Sequence, residues 1–174
     1  MSRCLPKTVL FATFVETVNC MLKIAVFPGS FDPFTKGHEN VISRALPLFD
    51  KILIAIGHNS EKRSFFSLEK RLAMIGKLYQ DEPRIEVTFY EGLTVDYCRQ
   101  VKAQYLLRGL RTAADFEYER AIAQINRKMN PEVETVFILA VPEFTPVNST
   151  IIREILKYGG DASQFLPDKM IIGD

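Results

Sequence analysis

The sequence predicts an α/β protein: five short strands in one parallel sheet, with helices on both faces. Two observations carry this. Short apolar segments recur along the chain from residue 23 onward, and they alternate with stretches whose pattern is helical. Strands that alternate with helices are joined by right-handed crossovers and lie parallel.

The elements follow in order. Residues 24–27 form a continuous apolar run ended by Pro28-Gly29, which suits a central strand buried on both faces. Val41, Ile42, Ala45, Leu48 and Phe49 then mark one face of a helix starting near His38. Residues 52–56 are the second buried strand, ended by Gly57. Ser67 caps the next helix, with Glu69 in its first turn, where the helix dipole favours negative charge. Ile85, Val87 and Phe89 alternate, as a half-buried strand near an edge does. A helix over 94–102 leads to a fourth strand, 105–107, stopped by Arg108-Gly109. A polar helix over 115–128 precedes the fifth strand, 136–140. Ser149 or Thr150 begins a last helix that stops at Gly159-Gly160.

Bulk properties bound the function. With 174 residues, one domain is expected over 21–174. Hydrophobic residues make up 47% and charged residues 25%, and the formal net charge is +1. A near-neutral chain has no global attraction to nucleic acid or anionic membrane, so any basic site is local. Cys4, Cys20 and Cys98 fit neither a zinc site nor a disulfide framework, which points to a reducing, cytoplasmic setting. No apolar run approaches the roughly 20 residues that span a bilayer. Residues 1–20 read as an extra arm ahead of Met21, added from an upstream start codon. A signal peptide is the weaker alternative, because the small-residue cleavage site is missing.

In parallel sheets ligands bind beyond the carboxyl ends of the strands, where the strand order reverses. After strand one comes Gly29-Ser30-Phe31-Asp32-Pro33-Phe34-Thr35-Lys36-Gly37-His38. It delivers a histidine into a first helical turn, where free amides attract phosphate. After strand two lies Lys62-Arg63, a cationic loop. After strand four comes Arg108-Gly109-Leu110-Arg111, and arginine forks grip phosphate oxygens in pairs. After strand five come Asn148-Ser149-Thr150 and Arg153. Four strand ends thus carry phosphate-compatible chemistry. Neither phosphate-loop glycine motif is present, His38-Glu39 lacks the second histidine of a zinc helix, and there is no nucleophile elbow. Asp32-Pro33 reads as turn chemistry.

The stretch from Gly29 to His38 resembles the T-x-G-H form of the HxGH nucleotidyltransferase signature. Val147-Asn148-Ser149-Thr150-Ile151-Ile152-Arg153 resembles the second motif of those enzymes, with Asn148 where serine is usual. Arg108-Gly109-Leu110-Arg111, followed by Asp115-Phe116-Glu117-Tyr118-Glu119, is narrower and looks like the phosphopantetheine adenylyltransferase family of coenzyme A synthesis.

The resemblance implies a Rossmann-like sheet of the nucleotidyltransferase type and a homo-oligomer, usually a hexamer. It implies adenylyl transfer from ATP to 4′-phosphopantetheine, giving dephospho-coenzyme A and pyrophosphate, with Mg2+ held mainly through the ATP phosphates and no metal ligand from the protein. His38, Lys62 and Arg108 are the implied catalytic residues. ATP falls to Ser30, Phe31, His38, Gly109, Leu110, Arg111, Glu119, Phe144, Thr145, Pro146, Val147, Asn148, Ser149 and Thr150. The acceptor falls to Ser30, Lys62, Thr94 and Arg108. The acceptor phosphate is already an anion, so positioning and charge stabilisation should supply the catalysis, without a protein nucleophile or general base. The competing readings are another HxGH enzyme (a nicotinate-nucleotide adenylyltransferase or a cytidylyltransferase) and a non-catalytic nucleotide- or coenzyme A-binding module.

Overall fold

The computed structural model describes residues 21–59, 61 and 63–170. The expected arm, residues 1–20, lies outside the described residues, and so does Lys62. Five strands form one sheet: β1 (Ile24–Gly29), β2 (Lys51–Gly57), β3 (Ile85–Tyr90), β4 (Tyr105–Leu110) and β5 (Glu134–Leu139). Every pairing is parallel, and the order across the sheet is β3-β2-β1-β4-β5. The chain runs outward from β1 to β3, then returns to the other side of β1 for β4 and β5. The strand order therefore reverses between β1 and β4.

Alternation along the central strands builds two cores. Ala25, Phe27, Ile52, Ile54, Ile56 and Leu107 face one side. There they meet Val41, Ile42 and Ala45 of α1 (Lys36–Ala45), Ile75 of α2 (Leu68–Leu78) and Ile152 of α5 (Ser149–Lys157). Val26, Leu53, Ala55 and Leu106 face the other side and meet Val95 and Cys98 of α3 (Thr94–Gln100). A central strand buried on both faces reads as an unbroken apolar run, which is why β1 and β2 were visible in the sequence. The long helix α4 (Ala113–Met129) lies against β4 and β5, yet its one buried residue is Glu119.

Several boundaries differ from expectation: α3 ends at Gln100, α4 begins at Ala113 and β5 spans Glu134–Leu139. The first helix stops at Ala45, and Leu46–Leu48 form a tighter 3-10 turn around Pro47, leaving Leu48 exposed while Phe49 is buried. Arg108 and Gly109 do not end β4. They lie inside it, in register with Phe137 and Ile138 of β5. The last helix does begin at Ser149, one of its two expected starts, because Asn148 is its N-cap, with the Asn148 side chain accepting from the Ile151 N–H at 2.9 Å.

One irregularity positions the site. β1 and β2 pair over six positions, but β1 and β4 pair only at Ala25↔Tyr105 and Val26↔Leu106. Beyond Val26 the two strands part. The Arg108 side chain bridges the gap, donating from Nη1 to the Pro28 carbonyl at 2.8 Å. A backbone acceptor freed where the ladder ends is thus satisfied by a guanidinium.

Candidate active site

The parted strand ends open into a cleft with two lobes. The first, of about 510 Å³, is walled by Gly29 to Phe31, Thr35, Gly37, His38, Arg108, Gly109, Arg111, Glu119 and residues 147–150. The second, of about 560 Å³, is walled by Gly57, Tyr90, Thr94, Ile122 and Asn126. Pro28, Gly29, Ser30, Arg108, Tyr118 and Glu119 form a wall common to both. Apart from Lys62, which lies outside the described residues, the expected site residues are therefore brought together from the strand ends on this side of the sheet. The exceptions are few. Leu110 is buried, and Phe144, Thr145 and Pro146, on the turn leading to Asn148, are set back from the wall.

His38 is held in one orientation. Thr35 caps α1, and its backbone N–H donates to His38 Nδ1 at 3.0 Å, with the Thr35 hydroxyl also 3.0 Å from that nitrogen. With Nδ1 accepting, the proton of the neutral ring sits on Nε2. Phe27, Phe31 and Phe34 surround the imidazole, with ring centroids 6.2, 5.2 and 5.3 Å away. Desolvation by this cage, reinforced by the positive charges of Arg111 and Arg108, lowers its pKa to about 4. The group offered to a ligand near neutral pH is an uncharged N–H donor. Phe31 takes a left-handed backbone (φ 46°) to put its ring there, and strain of that kind in a bulky residue is found where a site requires it.

Arg108 is not a free cation. Its Nε donates to Glu119 Oε2 at 2.9 Å, and Nη2 pairs with Glu119 Oε1 in a bidentate fork. With Nη1 on Pro28, three of its five N–H groups are committed. One hydrogen remains on each terminal nitrogen. Arg111 pairs with Asp115 one turn into α4, at 3.1 Å.

The helix that starts at Ser149 offers its backbone more than its side chains. The Ser149 hydroxyl donates to the Pro33 carbonyl at 2.8 Å, Asn148 Oδ1 caps Ile151, and the Thr150 hydroxyl accepts from Arg153. The amides of Ser149 and Thr150 remain for an anion, as do those of Lys36 and Gly37 at the start of α1. Thr94 opens α3, and its hydroxyl is 2.7 Å from that of Tyr90.

Sequence reasoning missed several contributors. The phenyl cage of Phe27 and Phe34, Tyr118 on the common wall, and the Asp32 and Arg71 contacts were not anticipated as site features. The Thr35–His38 spacing of an N-cap and N3 pair was visible and signals the capping box that orients the ring. Asp32 was read as turn chemistry and does sit in the turn. Its carboxylate also accepts the N–H groups of Phe65 and Phe66, at 2.8 and 2.9 Å.

Known proteins resemble this chain in sequence and fold. A cytidylyltransferase-like family model matches residues 26–155. A phosphopantetheine adenylyltransferase of Bacteroides thetaiotaomicron is 52% identical over 151 residues, spanning 87% of this chain and 99% of its own. Its namesake from Flavobacterium johnsoniae is 50% identical over 147 residues, or 84% and 96% of the two chains. That from Leptospira biflexa is 48% identical over 154 residues, or 88% and 95%. Among solved structures, a bifunctional NMN adenylyltransferase/ADP ribose pyrophosphatase from Francisella tularensis matches with a TM-score of 0.59 at 23% identity. That match covers 84% of this chain and 45% of the other, and it bears on the fold alone.

Proposed function

The chain belongs to the phosphopantetheine adenylyltransferase family, cytidylyltransferase-like in its domain, and we propose that its two-lobed cleft carries out that family's reaction with the division of labour below. An oxygen of the 4′-phosphate of phosphopantetheine attacks the α-phosphorus of ATP. The bond to the α,β-bridging oxygen breaks, pyrophosphate leaves with the electron pair, and dephospho-coenzyme A remains. The observation that carries the reading is the common wall. Ser30 and Arg108 border both lobes, so two phosphate-bearing ligands meet there.

ATP occupies the first lobe. Its triphosphate lies on the amides at the starts of α1 and α5, with Ser30, Phe31, Gly109, Leu110, Arg111, Glu119 and residues 144–150 around the nucleotide. The acceptor occupies the second lobe, with Thr94 along its arm and the free N–H groups of Arg108, together with Lys62, on its phosphate. The His38 Nε2–H donates to a non-bridging oxygen of the α-phosphoryl group as charge builds there. No proton has to be removed from the nucleophile, so preorganised donors supply the catalysis. Mg2+ would be held through the ATP phosphates and would screen their charge. The amides, hydroxyls and guanidinium groups of the cleft suit the phosphates that carry the ion.

A homo-oligomer, by family a hexamer, is the working assembly. The outer face of α4 supports it, since Ile125 and Met129 are 59% and 45% exposed on a helix with one buried residue. No helix among the described residues is long and apolar enough to cross a membrane, and the cytoplasm is the proposed location.

Incubation with ATP, Mg2+ and 4′-phosphopantetheine, with dephospho-coenzyme A identified by mass spectrometry, tests the reading. Product with nicotinate mononucleotide in place of phosphopantetheine would overturn it, as would ATP binding without turnover on any acceptor.

A further inference from the structure

The loop between β1 and α1 is held by its carbonyls. Arg108 of β4 donates to Pro28 at 2.8 Å, Arg71 of α2 to Ser30 at 2.6 Å, and Arg153 of α5 to Asp32 at 2.6 Å. Three guanidinium groups from three elements thus grip alternate carbonyls at 28, 30 and 32, across the end of β1 and the start of the loop after it. Arg108 and Arg153 already have a reading. Arg71 has none, and it is the most buried of the three, at 2% exposed.

Its partners are unusual for a buried cation. Nη1 takes the Ser30 carbonyl, Nε the Ser67 carbonyl at 3.3 Å, and Nη2 the Ser64 hydroxyl at 3.3 Å. Among the described residues no carboxylate forms an ion pair with it. Burying a charge against neutral acceptors is expensive, and an apolar side chain of that size would hold α2 to the core at lower cost. The planar fork does what an apolar chain cannot: it ties three backbone or hydroxyl oxygens in one fixed arrangement. Asp32 completes the tie from the opposite side through the amides of Phe65 and Phe66. The loop at 30–32 and the segment at 64–66 are therefore joined directly by the two hydrogen bonds of Asp32 and, through Arg71, by two more. The first borders both lobes of the cleft. The second follows Lys62 in the chain.

We propose that Arg71 is a positioning residue for adenylyl transfer, splicing the loop that borders the triphosphate to the segment that follows the acceptor-binding lysine, so that both reactants are held at a fixed separation. The proposal rests on the adenylyl-transfer reading. In-line attack needs the reacting atoms about 3–3.5 Å apart, and misplacement by about 1 Å costs on the order of 100-fold in rate. The splice acts on that distance and touches neither substrate.

The test uses the full chain and the variants Arg71→Met, Arg71→Lys and Ser64→Ala, with kcat and both KM values measured per active site alongside ATP affinity by calorimetry. Arg71→Met is expected to lower kcat by roughly 10- to 100-fold and raise KM for 4′-phosphopantetheine, with ATP affinity changed less than about threefold. Arg71→Lys, which keeps one donor for Ser30, should recover part of the loss. Ser64→Ala should raise KM for 4′-phosphopantetheine without altering ATP binding. If Arg71→Met only lowers the yield of folded protein and leaves kcat and both KM values unchanged, the proposal is overturned. If Arg71→Met does not fold, unchanged constants in Ser64→Ala and Arg71→Lys overturn it equally. Absence of product from the unmodified protein is a separate outcome, and it would overturn the adenylyl-transfer reading itself.

Discussion

The Thr35 backbone N–H donates to His38 Nδ1 at 3.0 Å, which leaves Nε2–H as the one donor the imidazole can turn toward a ligand. The relationship fixes tautomer and direction before any substrate arrives. Preorganised donors of this kind cost no reorganisation during reaction.

Replacing His38 should therefore separate binding from turnover. In His38→Ala, ATP affinity measured by calorimetry is expected to stay within a few fold. The turnover number should fall by about 100- to 1,000-fold, which corresponds to about 3–4 kcal/mol in the barrier. Near-normal turnover would remove His38 from the chemistry.

The pH dependence has a defined sign. Burial and the two arginines lower the His38 pKa from 6.5 to about 4. A depressed histidine pKa means the folded state prefers the neutral ring. This histidine's contribution to stability is complete above about pH 6.5 and is lost as the pH falls through about 4. Activity that depends on the neutral donor should be flat, as far as His38 is concerned, from pH 8 down to about 5. NMR titration of the ring is the direct check, and a midpoint near 6.5 would contradict it.

Arg108 and Glu119 should behave as a unit in stability. Their side chains are 31% and 10% exposed, and each is the other's charge partner. Removing one leaves the other unpaired in a poorly solvated wall. Arg108→Ala should cost about 2–3 kcal/mol in denaturant melts, below the roughly 3–5 kcal/mol of a fully buried pair because Arg108 is partly solvated. The double variant Arg108→Met/Glu119→Leu should recover much of that stability while remaining inactive. Strict additivity of the two losses would argue against the coupling.

Gly37 gives a test of ligand fit. A methyl group at that position would meet the Thr35 hydroxyl at 3.5 Å, Phe144 Cβ at 3.8 Å and the Val147 carbonyl at 3.9 Å, all ordinary contacts, so the fold tolerates alanine there. Gly37→Ala should be neutral or slightly stabilising, by up to about 1 kcal/mol. ATP affinity should nonetheless fall, because Gly37 lines the first lobe. Unchanged affinity would move the triphosphate away from the start of α1.

Much of this was legible in the chain, for identifiable reasons. The runs at 24–27 and 52–56 are apolar without interruption because both faces of β1 and β2 are covered, and that pattern survives in a single sequence. His38 was placed in a first turn because the apolar spacing from Val41 to Phe49 set the start of a helix near it, and that helix begins at Lys36. The end of β4 was misjudged because Arg-Gly looks like a turn, whereas the strand continues there only through its pairing with β5. Local pattern cannot report a distant partner. The same limit hid Arg71, whose contacts reach Ser30 and Ser64, 41 and 7 positions away, and Asp32, whose partners are 33 and 34 positions away. Nothing about Arg71 in its own helix distinguishes it from a solvated arginine.

The carbonyl grip on the loop after β1 bears on how this protein tolerates change. Arg71, Arg108 and Arg153 hold main-chain oxygens, and every amino acid supplies one of those. Side chains along the gripped stretch can thus drift wherever packing permits while the shape of the loop persists. The three arginines have no such freedom, since lysine lacks the fork that spans two acceptors. In a saturation-mutagenesis map of the protein, intolerance should reach three positions scattered through α2, β4 and α5, far in sequence from the loop they hold, and add to that of Phe31 and Asp32, whose own side chains are buried there.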